Sequence, residues 1–127
     1  MTHLDTHVVV WLAGGEAGRL SEKARFLLSS GPIRVSPMVE LELSLLHEIG
    51  RITAGAAEIL AELRRSLGLE VDTASFAAGV ALAATARYSF IRDPFDRVIA
   101  AHADAAGASL LTRDRVLRAH LDFAVWD

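Results

Sequence analysis

Short apolar runs alternate with stretches of helical period along almost the whole chain, and each change of period is marked by a residue that starts or stops a helix. Ile33-Arg34-Val35 is a strand-length run held between a breaker, Gly31-Pro32, and a starter, Ser36-Pro37. Asp93-Pro94 repeats that device, because the proline ring presets the first helical turn and the side chain before it caps the free amides. Gly50, Gly68 and Gly107 stand where helices should end. Strands that alternate with helices imply a parallel sheet with helices on both faces, an α/β fold.

The expected elements follow from that punctuation. His3-Leu4-Asp5 reads as a strand, and the apolar segment Thr6 to Ala13 behind it closes at Gly14-Gly15. Ser21 is placed to cap a helix over residues 23–30. A helix from Pro37 to Ile49 is expected to turn Met38, Leu41, Leu45, Leu46 and Ile49 inward, with Glu42 in the middle of that face and Glu40, Ser44, His47 and Glu48 on the wet side. Residues 53–67 form its antiparallel partner. Leu69-Glu70-Val71 is a short strand, and residues 74–86 are an alanine-rich helix in which Gly79 signals close packing against a neighbour. Pro94 to Ala106, Ser109 to Thr112, Arg115 to His120 and a tail over 123–126 complete the series as helix, strand, helix and edge strand.

At 127 residues, 52% hydrophobic and 23% charged, the chain reads as one globular domain over 1–127. No apolar run approaches the roughly 20 residues needed to cross a bilayer. Met1-Thr2-His3 is no basic leader, so a cytoplasmic protein without membrane association is expected. The absence of cysteine excludes disulfides and thiolate metal sites. A net charge of −3 argues against coating nucleic acid by charge alone.

The chemistry-bearing residues are acids. In an open parallel sheet, ligands bind outside the carboxyl ends of the strands. Asp5 and Asp114 are expected at those ends, Asp93 and Asp96 open a helix at the same edge, and Glu42 faces inward from the helix that follows a strand. Helix capping accounts equally well for Asp93 alone. Glu42 requires a hydrogen bond, an arginine partner or a cation. Two carboxylates about 4 Å apart repel by roughly 4 kcal/mol at an effective dielectric of 20, so a cluster of four or five needs positive charge. All-oxygen ligation points to Mg²⁺ or Mn²⁺ rather than zinc, and to activation of water against a phosphoryl group. Thr6, Ser36 and Thr112 are placed to hydrogen-bond the acids or metal waters. His3 and His7 lack the helical spacing of a zinc pair, and His102 reads as a hydrogen-bonded core residue.

Leu4-Asp5-Thr6-His7, Ser36-Pro37-Met38-Val39 followed by Glu42, Asp93-Pro94-Phe95-Asp96-Arg97-Val98-Ile99-Ala100-Ala101 and Leu111-Thr112-Arg113-Asp114 occur in that order over nearly the whole chain. Together they resemble the PIN-domain ribonucleases, and among these the VapC-like toxins of type II toxin-antitoxin pairs. The resemblance implies a PIN-like three-layer fold, with a central parallel sheet, helices on both faces and a protruding helical pair. It implies that Asp5, Glu42, Asp96 and Asp114 bind metal and carry catalysis, with Asp93 as an auxiliary acid. It further implies Mg²⁺- or Mn²⁺-dependent cleavage of RNA, a homodimer, and inhibition by a cognate antitoxin whose tail enters the acidic groove. Glu40 stands where such toxins commonly have an apolar residue, and His102 where glutamine is frequent.

Two other classes fit parts of the pattern. A phosphatase with an aspartate nucleophile also places an acid after the first strand, but it wants a second aspartate where His7 stands. A PIN-like binding module without activity would use the same acids only as helix caps.

Overall fold

The first turn of the chain shows how strands and acids are coupled. The computed structural model describes residues 1–127, beginning with strand β1 (Thr2–Leu4). Asp5 then caps helix α1 (Thr6–Ala13), so the carboxylate that ends the strand also starts the helix. Ser21 caps α2 (Glu22–Ser29), and β2 (Ile33–Val35) leads through Ser36 and Pro37 into α3 (Pro37–Glu48). Helix α4 (Ala56–Leu67) packs back on α3 and ends at Gly68, whose φ of 71° is the left-handed cap that a side chain would strain. The tip of this pair, residues 47–51, is exposed.

The second half follows the same plan. β3 (Glu70–Val71) leads to α5 (Phe76–Ala83), which is shorter than the alanine-rich run suggests, with a separate 3₁₀ turn at Ala86–Tyr88. Then come α6 (Pro94–Ala105), β4 (Ser109–Leu111), α7 (Arg115–His120) and β5 (Ala124–Val125). The five strands lie in the order β3-β2-β1-β4-β5, and every pairing is parallel. Thr2 and Leu4 point to one side of β1 and His3 to the other, and all three are buried, so both faces of the sheet are covered. No helix is long and apolar enough to cross a membrane.

One expectation about packing fails. Helix α3 buries Val39 and Leu43, whereas Leu41, Leu45 and Ile49 are 49%, 40% and 66% exposed. Ser44, expected on the wet side, is half-buried. The helix carries apolar residues all round its circumference, so its own period does not single out one face. Contacts with α1, α4 and α6 decide which stripe goes inward. Glu42 is consequently half-buried at the margin of the packed stripe rather than central to it.

Candidate active site

β1 lies in the middle of the sheet, with β2 on one side and β4 on the other, and the chain changes direction of travel there. Such a switch point opens a crevice at the carboxyl ends of the two diverging strands. Leu4 and Leu111 are register partners, so Asp5 and Thr112 emerge side by side. The Thr112 hydroxyl donates to Asp5 Oδ2 at 2.5 Å, and the His7 amide donates to Oδ1 at 2.8 Å. Thr112 Oγ1 also accepts from the Asp114 amide at 3.1 Å, which fixes the turn that delivers Asp114. Asp114 Oδ1 then caps α7 through the amides of Val116 and Leu117.

The other acids arrive from two helices. Glu42 on α3 accepts from the Thr6 hydroxyl at 2.5 Å. Asp93 caps α6 by accepting from the Asp96 amide at 3.0 Å, which holds the two carboxylates at one helix mouth. Three of the five acids are therefore helix caps. Thr6 and Thr112 donate to acids, as their positions suggested, while Ser36 only caps α3 through the Met38 amide.

Crowding shows in the protonation of these groups. Burial first, and then the charges of Asp5, Asp93, Glu42 and Asp114, push Asp96 from 3.8 up to about 7. Glu42 is raised by burial and by Asp93 and Asp5, against the opposing hydrogen bond from Thr6. His7, 3.7 Å from Asp5 through Nδ1, is held above its ordinary value chiefly by its hydrogen bond to Asp5. None of the arginine ion pairs of the molecule involves any of the five acids. The arginine partner considered for Glu42 is absent.

A cleft of about 370 Å³ opens over this arrangement, lined by Asp5, His7, Trp11, Asp96, Arg113, Asp114 and Arg115. Trp11 and Arg115 did not stand out in the sequence. The usable signal for Trp11 was its position four residues after His7, one helical turn above the Asp5 cap. A larger groove of about 770 Å³ runs along α4 and β3 and is lined by Glu40 but not by Glu42. His102 is buried as expected, yet neither of its ring nitrogens has a hydrogen-bond partner, contrary to the expected bonded core residue.

The donor chemistry of the acidic cluster suits a hard divalent cation: its donors are all oxygens, no arginine pairs with it, and Asp96 rises with each neighbouring negative charge. Comparison with known proteins agrees with the geometry. A model of the PIN domain family matches residues 3–120. Ribonuclease VapC22 of Mycobacterium tuberculosis is 37% identical over 119 residues, covering 92% of this chain and 89% of the relative. The crystal structure of VapBC2 from Rickettsia felis, bound to a DNA fragment from its promoter, superposes with a TM-score of 0.69. It covers 99% of this chain and 98% of its own, and at 20% identity it speaks for the fold. An acidic crevice at the switch point of a five-stranded parallel sheet, with the family match spanning nearly all of it, establishes that the chain belongs to the PIN-domain family.

Proposed function

We propose that this protein is a divalent-cation-dependent endoribonuclease, the toxin of a toxin-antitoxin pair, acting in the cytoplasm. The observation that carries the reading is the convergence of four carboxylates on Asp96, with none of the five acids held in an arginine ion pair. Asp5, Glu42, Asp96 and Asp114 would hold the ion or ions, with Asp93 beside them. When bound, Mg²⁺ or Mn²⁺ lowers the pKa of a water and offsets charge building on the phosphoryl oxygens.

The chain's own groups prepare this site. Thr112 and the His7 amide fix the Asp5 carboxylate, and Thr6 fixes Glu42, so neither acid has to be ordered when substrate arrives. Arg113 and Arg115 line the cleft and offer guanidinium forks to phosphates beside the cut. Arg113 lies over the Trp11 indole, 6.0 Å from the ring centre, which helps to hold that guanidinium at the cleft. Two partners complete the reading. The antitoxin supplies a segment that occupies the cleft, and a second copy covers the exposed leucine row of α3.

Two glutamates of α3 test the assignment. With a fluorogenic RNA and Mn²⁺, Glu42→Gln is expected to lose cleavage by about 100-fold or more, at or above the loss typical for a group that only supports a ligand. Glu40→Gln, whose side chain lines the other groove, stays close to wild type. Equal losses in the two variants overturn the assignment.

A further inference from the structure

Beneath the acidic cleft lies a second group of metal-binding side chains that the ribonuclease reading does not use. His3 stands in the centre of β1, Asp72 directly follows β3, and His102 sits in the third turn of α6. They are remote in sequence, and the fold brings one ligand atom of each within 4.8 Å of the others. His3 Nε2 is 2.8 Å from Asp72 Oδ2, and His102 Nε2 is 3.9 Å from the same oxygen. The two imidazoles meet edge to face with centroids 4.8 Å apart.

The surroundings hold this group in place. A Cβ at Gly79 would lie 2.7 Å from His102 Cα, so α5 and α6 pack backbone to backbone at that point. Phe76 closes over the His102 ring with centroids 5.5 Å apart, and the Ala74 amide donates to Asp72 Oδ1 at 3.1 Å to orient the carboxylate. His3 and His102 are fully buried, while Asp72 keeps a solvent-facing edge through which an ion can enter. His102 has no hydrogen-bond partner on either nitrogen, so a fully buried ring aims an unused Nε2 toward the shared oxygen. Buried polar atoms are almost always paired, and an orphan of this kind marks a missing partner.

We propose that His3, Asp72 and His102 bind one divalent transition-metal ion of the zinc class, separately from the acidic cleft. Two imidazole nitrogens and one carboxylate oxygen form a donor set of borderline softness, which prefers Zn²⁺ or Co²⁺ to Mg²⁺. Three protein ligands leave a fourth position for water on the Asp72 side. The bound ion ties β1 and the segment after β3 to the helix whose N-terminus carries Asp93 and Asp96. The site stands whether or not the acidic cleft cleaves RNA.

Cobalt distinguishes the two sites by colour, since a four-coordinate ion with nitrogen ligands absorbs strongly in the visible and a six-coordinate all-oxygen ion is pale. The full chain, stripped of metal, is titrated with Co²⁺ as wild type, Asp96→Asn, Asp72→Asn and His102→Gln. One equivalent is expected to give the visible bands in wild type and in Asp96→Asn, and one equivalent of Zn²⁺ to bleach them. In Asp72→Asn and His102→Gln the bands fall at least tenfold, while Mn²⁺ binding, read by electron paramagnetic resonance, matches wild type. Circular dichroism checks the fold of His102→Gln, and Asp72→Asn, altered at a solvent-facing edge, provides the second arm. A colourless wild type, or bands unchanged in Asp72→Asn, overturns the site. Loss of Mn²⁺ binding in wild type with the cobalt bands intact overturns only the acidic reading.

Discussion

Asp96 has a higher proton affinity than a carboxylate should, and this ties the charge of the cleft to the stability of the protein. Its pKa is about 7 in the fold against 3.8 for the free group, so the native state binds a proton that the unfolded chain has already released. The stabilisation is complete below about pH 4 and is lost as pH rises through 7. Glu42, also raised, acts in the same direction. His3 and His102 oppose it on acidification, because a histidine held low loses its stabilising contribution as pH falls. The difference between wild type and Asp96→Asn isolates the carboxylate. Without metal, the melting temperature of Asp96→Asn should exceed that of wild type by about 3 °C or more at pH 8, a shift corresponding to roughly 1 kcal/mol in a domain of this size, and the gap should close at pH 4. Mn²⁺ at pH 8 should raise wild type and leave the variant nearly unmoved. A constant gap between pH 4 and 8, measured by calorimetry, would contradict this account. At this scale four of the five acids were legible from local punctuation, since Asp5, Asp93, Asp96 and Asp114 stand at helix starts or next to a strand end, and Glu42 was legible only as a charge in an apolar helix. The sequence concealed Asp72, which follows a two-residue strand and meets its histidines only through tertiary packing.

The helices differ in how much of their placement their own residues decide. Caps are local, and so Ser21, Ser36 with Pro37, and Asp93 with Pro94 mark real starts, each confirmed by a side chain accepting from an amide. Faces are not local when apolar residues encircle the helix, and for that reason α3 turns Leu41, Leu45 and Ile49 outward against expectation. Gly79 lies between these cases: the sequence signals close approach, and only the packed pair shows that the neighbour is the His102 backbone. Gly79→Ala would bring a methyl against main-chain atoms that cannot swing aside. Unfolding in urea should show a loss of about 1–3 kcal/mol, the usual range for an overpacked core, with an unchanged m-value. A neutral result would mean that α5 can slide along α6.

For the molecule as a whole, one consequence of the topology is that the acidic crevice and the outward row of α3 occupy different surfaces. β1 and β4 supply the crevice, whereas α3 and α4 form a pair whose tip is exposed. Leu41, Leu45 and Ile49 are spaced one turn apart, and a contiguous apolar ridge of that kind is seldom left to water. Two copies meeting along it would bury both ridges while leaving each cleft open to RNA, and the modest net charge of −3 sets up little repulsion between them. Leu45→Glu places one negative group from each copy at the joint of such a dimer, yet it removes little from the core of either chain because Leu45 is already 40% exposed. Sedimentation equilibrium should therefore report a mass falling from dimer toward monomer, with a melting temperature measured at low concentration close to wild type. A variant that kept the wild-type mass would place the contact elsewhere, and one that unfolded would show that the ridge is needed within a single chain.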